Sequence, residues 1–325
     1  MSFPLNIYLP TLAGAFLLAG LSLPLWRRWA LRIGLVDDPG HRKIHDAPVP
    51  LAGGWAVLTG FLVPVAAGAL ALKLGLFGSE ISGPLHHGFS RRTPQLIVVA
   101  LGALGMLLLG WLDDRHELRP GKKFAGQFLI ASAVAFADVR ITLFVPSFLF
   151  SYVVTVLWIL ALVNAFNFTD NMNGLCAGLG AIASWNFALL AARDGQYLVA
   201  LLGLATCGSL AGFLPWNFPD ARAFLGDAGS HLVGYLVAVL AILPHFFTPQ
   251  NPRVFAVLAP LLILAVPLVD LAQVVIGRWR RGQPFYVGDT NHLSHLLVGC
   301  GWSRSAAVLW LWLTAAIFGV VPLFW

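Results

Sequence analysis

The chain has 325 residues, 58% of them hydrophobic and 10% charged, with a mean hydropathy of +0.81 and a formal net charge of +6. One soluble core could not hide so much apolar surface, so the composition excludes an ordinary water-soluble domain and indicates a polytopic membrane protein. The positive charge clusters on one side of the apolar segments, which suits anionic lipid or phosphorylated substrates and gives no reason to invoke a nucleic-acid partner.

Apolar windows long enough to cross a hydrocarbon core of about 30 Å recur along the chain. They fall at 5–25, 51–72, 95–112, 125–138, 148–166, 175–192, 197–216, 227–247, 254–276 and 305–325, the fourth being short. The expected fold is therefore all-α, a polytopic integral membrane protein of about ten transmembrane helices forming one domain over 1–325. The longest polar intervals, 26–50, 73–94 and 277–304, read as loops. No basic residue precedes Arg27, so the first helix is expected to start outside. Threading ten spans from there leaves six of the 20 Lys and Arg residues (Lys73, Arg91, Arg92, Arg140, Arg193 and Arg253) at the outer side. The rest lie on the cytoplasmic side, as the positive-inside rule requires.

Five polar clusters lie on that same side. The first, VDDPGHRKIHDAPVPLAGG over 36–54, mixes acids with Arg42, His45 and turn formers before a Gly-Gly. A solvated basic loop would need its cations but not this mixture. In the second, GWLDDRHELRPGKKFAGQ over 110–127, Asp113 and Asp114 close one span, Lys122 and Lys123 open the next, and Gln127 stands one turn beyond Lys123. Helix-end charges of this kind also mark a plain membrane interface. The third, NAFNFTDNMNGLCAGLG over 164–180, holds Asn164, Asn167 and Asn171, which share a face if the segment is helical. Their amides suit a hydrated cation or a nucleobase edge.

The fourth, FLGDAGS over 224–230, places Asp227 at a helix start among small residues. Asp227 could cap free N–H groups there, and its small neighbours leave room for a phosphate. The fifth, GDTNHLSHLLVGCGWS over 288–303, sets His292 and His295 three apart behind the basic run RWRR. Imidazoles at that spacing serve a metal or donate to phosphate oxygens, and interface histidines satisfied locally look the same. Independent loop decoration would not gather all five clusters on one side. Together they describe an active site built from cytoplasmic helix ends, with Asp227 holding a hard cation, Mg²⁺ or Mn²⁺ rather than zinc.

In their order, the motifs DDPGHRKIHDAPVPLAGG, DDRHELRPGKKFAGQ, NAFNFTDNMNGL, FLGDAGS and DTNHLSHLL resemble those of the polyprenyl-phosphate N-acetylhexosamine-1-phosphate transferases. The likeness runs from about 36 to 303. The RKIH and Pro-x-Pro-x-x-Gly-Gly forms are similar to the bacterial undecaprenyl-phosphate N-acetylglucosamine-1-phosphate branch. The resemblance implies ten or eleven helices in the inner membrane, catalytic loops in the cytoplasm and Mg²⁺ as cofactor. It further implies transfer of GlcNAc-1-phosphate from a UDP-N-acetylhexosamine to undecaprenyl phosphate or a similar lipid, releasing UMP, with a homodimer allowed.

Carried over by motif, Asp227 becomes the metal ligand assisted by Asn167, and Asp113 and Asp114 become the paired catalytic acids. Lys123 becomes the phosphate-binding lysine, and His292 and His295 are associated with the diphosphate. Arg42, His45, Asn164 and Asn173 join the substrate-binding set. Two positions depart from the family pattern. Asn173 stands where many bacterial members carry aspartate, and Ser294 interrupts a His-x-His-His motif. Alternatives left open are the same reaction on another UDP-N-acetylhexosamine, and a lipid-binding or transport protein. A transporter would need polar groups near the membrane midplane, where Asp270 is almost the sole candidate.

Overall fold

The computed structural model describes residues 2–38, 48–244, 246, 254–284 and 291–325. Arg42 and His45 therefore lie outside the described residues. Among those described, the helices are α1 (Leu5–Arg32), α2 (Gly53–Lys73), α3 (Ser79–His116), α4 (Pro120–Phe136), α5 (Phe148–Thr169) and α6 (Leu175–Arg193). They continue with α7 (Tyr197–Phe213), α8 (Gly226–Ile242), α9 (Ala259–Ile263), α10 (Ala265–Arg280), α11 (Leu293–Gly299) and α12 (Arg304–Val320). The ends follow local chemistry. Ser147 and Ser303 accept from the N–H groups of Phe150 and Ala306 to cap α5 and α12, and Pro120 occupies the first turn of α4, where a missing N–H costs nothing.

Seven helices are long and apolar enough to cross a membrane, or eight if the bent pair Val254–Ile263 and Ala265–Arg280 counts as one span. Their outward faces carry large apolar side chains such as Leu21, Leu101, Leu129, Leu149 and Leu157, which only a lipid surround would tolerate in such number. The chain is thus an α-helical, multi-pass membrane protein.

Three expectations need correction. The interval 73–94 is not a loop: α3 begins at Ser79 and runs through Pro84 and Pro94 to His116, each proline removing one N–H from the ladder while the turns on either side continue the helix. The window 254–276 is not one straight helix. It bends by 70° at Leu264, a break that hydropathy averaging passes over. The all-α description also omits a small antiparallel pair, β1 (Val36–Asp37) with β2 (Val49–Pro50), extended by a bridge from Leu51 to Phe224.

That pair explains the Pro-x-Pro-x-x-Gly-Gly segment. Phe224 donates its N–H to the Pro50 carbonyl at 3.0 Å, and Gly53 donates to the Phe224 carbonyl at 2.9 Å. The start of α2 is thereby stitched to the residues that lead into α8. Helix α8 then runs through the middle of the bundle against α2, α3, α5 and α6. Two glycines let its first turn approach. A Cβ on Gly54 would lie 2.7 Å from the Gly229 nitrogen, and one on Gly110 would lie 2.2 Å from the Asp227 carbonyl oxygen. Both separations are too short for any side chain, so α8 is clasped between the backbones of α2 and α3.

Candidate active site

Four helix ends converge on Lys123, in the first turn of α4. Its Nζ lies 2.7 Å from Asp113 Oδ2 and 2.9 Å from Asp227 Oδ2. Asn167, in the last turn of α5, faces the same point. Its Nδ2 donates to Asp227 Oδ1 and to Ser230 Oγ, and its Oδ1 is 3.5 Å from Lys123 Nζ. Two carboxylates, an amide and an ammonium thus meet in one layer. Asp113 uses its other oxygen to accept from the Leu118 N–H at 2.8 Å, which fixes the turn between α3 and α4.

The capping role open to Asp227 does not occur, because its carboxylate points away from its own backbone toward Lys123 and Asn167. The cap comes from α3 instead. Asp114 accepts from the backbone N–H of Asp227 at 2.7 Å and of Ala228 at 3.0 Å. A carboxylate at that place complements both the free N–H groups and the positive end of the helix dipole. Of the paired acids, then, Asp113 faces Lys123 and Asp114 holds the backbone that carries Asp227.

The third cluster divides. Asn164 and Asn167 lie on α5, but the helix ends at Thr169 and Asn171 stands beyond it. The expected common face therefore holds two amides rather than three, since leaving the helix turns Asn171 elsewhere. Asn171 Nδ2 donates to the Phe168 carbonyl, and its Oδ1 accepts from Ser294 Oγ at 2.7 Å. The unusual serine of the histidine segment thus ties that segment to the third motif. Asn173 donates to the Pro219 carbonyl at 2.9 Å.

His292 sits at the start of α11. Its Nδ1 is 2.8 Å from Asp270 Oδ2, and Asp270 Oδ1 accepts from the Leu293 N–H at 2.7 Å. Asp270 is thus satisfied by its neighbours rather than open to a transport path. The imidazole also meets the edge of Phe168, with ring centroids 5.8 Å apart, and the buried Arg278 guanidinium lies over the same Phe168 ring at 4.9 Å. The His295 ring is 6.1 Å from that of His292.

Two cavities flank the end of α5. The first, about 760 Å³, is walled by Phe124, Leu157, Leu160, Ala161, Leu271 and Val275, with Asp113, Lys123, Gln127, Asn164 and Asn167 also on its lining. It is an apolar trough with charge and amides among its walls. The second, about 570 Å³, is more polar and is lined by Asp37, Asp170, Asn173, Asn217, Phe224 and Arg304, among others.

Asp170 was not singled out from the sequence, though it lies in the asparagine-rich motif. Burial, reinforced by the charges of Asp227 and Asp114, holds its carboxyl well above the usual carboxylate range. Gln127, Asp270, Ser294 and Arg278 also take structural parts that spacing alone did not assign. Among the described residues no group of three or more His, Cys, Asp or Glu side chains is arranged to hold a metal.

Comparison with known proteins gives the same direction. A model of glycosyl transferase family 4 matches residues 96–245. A probable undecaprenyl-phosphate N-acetylglucosaminyl 1-phosphate transferase of Bacillus subtilis (strain 168) is 32% identical, over 91% of this chain and 79% of that protein. The decaprenyl-phosphate N-acetylglucosaminephosphotransferase of Mycobacterium tuberculosis (strain ATCC 25618 / H37Rv) is 33% identical, over 90% and 76% respectively. An undecaprenyl-phosphate alpha-N-acetylglucosaminyl 1-phosphate transferase of Salmonella typhimurium is 28% identical, over 96% and 82%.

Proposed function

The chain belongs to glycosyl transferase family 4, and from that premise we propose that it transfers N-acetylglucosamine-1-phosphate from UDP-N-acetylglucosamine to undecaprenyl phosphate or a closely similar polyprenyl phosphate. The observation that carries this reading is the layer of Asp113, Lys123, Asn167 and Asp227, three of which line an apolar trough, with a polar cavity just past the end of α5. A lipid phosphate needs apolar walls for its chain and a cation for its head. A nucleotide sugar needs polar walls. The trough, with Lys123 on its wall, supplies the first, and the cavity beyond α5 supplies the second.

In this reading the polyprenyl chain occupies the trough and its phosphate meets Lys123. The UDP-sugar enters the second cavity, where Asn173, Asn217 and Arg304 face it. An oxygen of the lipid phosphate attacks the sugar-bearing phosphorus. The bond from that phosphorus to the bridging oxygen breaks, and UMP leaves with the electron pair. The lipid phosphate is already largely ionised near neutral pH, its second pKa being about 6, so no strong base is required. Asp113 then serves to hold Lys123 in place. Lys123 neutralises the phosphate oxygens as charge moves between them, and a fixed cation in a water-poor site is worth far more than in bulk water.

The donors present fit a divalent ion. Asp227 and Asn167 offer oxygen ligands, and Mg²⁺ is commonly held by one or two carboxylates with substrate phosphates and water completing its shell. When bound, Mg²⁺ (or Mn²⁺) would polarise the diphosphate and offset its charge. We further propose that ten segments cross an inner membrane, with the amino terminus outside and these helix ends in the cytoplasm. The placement of the basic residues supports that orientation.

The test is to incubate the purified protein with undecaprenyl phosphate, Mg²⁺ and a panel of UDP-sugars, and to measure UMP release. Release with UDP-N-acetylglucosamine and not with UDP-glucose supports the reading. Release dependent on some other UDP-N-acetylhexosamine alone would reassign the sugar, and no release with any of them would remove the reaction.

A further inference from the structure

Beneath the layer just described lies a second polar layer built from three of the same four helices. One turn past Lys123 in α4 is Gln127, one turn past Asp227 in α8 is His231, and three residues before Asn167 in α5 is Asn164. Gln127 and His231 have no exposed surface. Asn164 Nδ2 donates to Gln127 Oε1 at 2.8 Å and to the Leu160 carbonyl at 2.8 Å, and Gln127 Nε2 lies 3.2 Å from His231 Nε2. The lower triangle of Gln127, Asn164 and His231 stacks under Lys123, Asn167 and Asp227 of the upper layer, with one corner on each of α4, α5 and α8.

The hydrogen-bond orientation of this lower layer is determined. The Leu160 carbonyl can only accept, so the Asn164 amide atom beside it is the nitrogen. Gln127 must then turn its oxygen to Asn164 and its N–H to His231. His231 Nε2 accepts, and the ring proton stays on Nδ1. Among the described residues, buried His231 Nδ1 has no hydrogen-bond partner, and an orphaned buried donor is costly. A leucine at this position would avoid that cost, so stability alone does not account for the histidine.

We propose that His231 is a positioning residue: by accepting from Gln127 it locks α4 to α8 one turn below the reaction layer and so fixes the approach of Lys123 to Asp227. Helices α4 and α8 each bear one residue of both layers at four-residue spacing, so any slip between them displaces both layers together. Asn164 completes the lock from α5, whose next turn presents Asn167 to Asp227. The inference rests on the transfer reaction proposed above for its activity readout.

The experiment measures UMP release and thermal unfolding, in detergent, for His231→Leu, His231→Gln, Gln127→Leu and the Gln127→Leu/His231→Leu pair. Small misplacements of reacting groups cost one to two orders of magnitude in rate. His231→Leu is therefore expected to lower kcat by about tenfold or more, with KM for both substrates moved less than about twofold. His231→Gln, whose side-chain oxygen can take the place of Nε2, is expected to restore most of kcat. The double variant removes the Gln127 donor and the His231 acceptor together, so its Tm loss should be smaller than the sum of the two single losses, the remaining loss reflecting the Asn164 N–H that Gln127 no longer receives, while kcat stays low. Rates that follow Tm across all four variants would overturn the proposal, because a purely structural histidine predicts that outcome.

A second measurement does not depend on turnover. If the lower layer positions the upper one, the Tm loss caused by Lys123→Met should be smaller in the His231→Leu background than in the wild type, the difference being the coupling that a double-mutant cycle reads. Equal losses in both backgrounds would sink the inference. Wild-type protein that releases no UMP would instead remove the reaction and leave this coupling test standing.

Discussion

Asp114 offers the sharpest test of how the reaction layer is held. It is one of the paired acids, yet both its carboxylate oxygens are spent on the N–H groups of Asp227 and Ala228, at 2.7 and 3.0 Å. Hydrogen bonds to a charged group contribute roughly 1.5–3 kcal/mol each, and a negative charge at a helix start adds about 0.3–1 kcal/mol. Asp114 is only partly buried, so the lower end applies, and Asp114→Ala should cost about 3 kcal/mol. For a chain of this size that is a fall in Tm of roughly 5 °C. Asp114→Asn keeps one acceptor but turns an NH₂ toward the second N–H, and should lose about half as much. Because the affected N–H groups belong to the turn that carries Asp227, turnover should fall in the same order, Ala more than Asn. The assay is intrinsic fluorescence against temperature, alongside UMP release. If Asp114→Asn keeps the wild-type Tm while turnover falls by several orders of magnitude, the carboxylate takes part in the chemistry and the capping account is wrong.

Three further outcomes follow from the site. Lys123→Ala should reduce kcat by about 10²-fold, the usual effect of losing one preorganised electrostatic element, whereas Lys122→Ala, exposed one residue earlier, should leave it near normal; equal small effects in a steady-state assay would reduce both to interface anchors. Asn173→Ala should raise KM for the UDP-sugar by roughly 5-fold or more, the cost of one lost buried hydrogen bond, with the Mg²⁺ requirement little changed; a steeply raised Mg²⁺ requirement with KM intact would contradict this. The raised Asp170 carboxyl makes the folded chain take up a proton more readily than the unfolded one, so this group's contribution to stability is fullest at acid pH and is lost as pH climbs above the ordinary carboxylate value of about 4. In metal-free buffer, Asp170→Asn should therefore gain Tm over wild type at pH 8 and gain little at pH 4, and a pH-independent difference would refute the assignment.

Much of this architecture can be read from the sequence, because its determinants are local. Apolar windows place helices at nearly every position where they occur, and the Asp-Asp, Lys-Lys and Asn-x-x-Asn spacings put Asp113, Lys123 and Asn167 at the helix ends that converge. What escapes a linear reading depends on partners far along the chain. Whether Asp227 caps its own helix or faces Lys123 is decided by Asp114, 113 residues away. Asn171 keeps the helical spacing but not the helix, since α5 ends at Thr169 with Asp170 at its C-cap. Ser294 reads as a defect in a histidine motif until Asn171 is found across from it. The break at Leu264 leaves no mark in hydropathy, because residues on both sides of it are equally apolar.

Helix α8 has 17 residues, which at 1.5 Å per residue is about 25 Å, short of a hydrocarbon core of about 30 Å. Every side chain from Ala228 to Ala241 is buried inside the protein. A helix that touches no lipid is under no obligation to match the thickness of the bilayer, and mismatch acts on the helices that surround it. The depth of Asp227 is consequently set by glycine contacts within the bundle rather than by bilayer thickness. Thinner or thicker membranes would act on α3, α4 and α5, which meet lipid and carry Asp113, Lys123 and Asn167, so lipid composition would reach the reaction layer through three of its four residues.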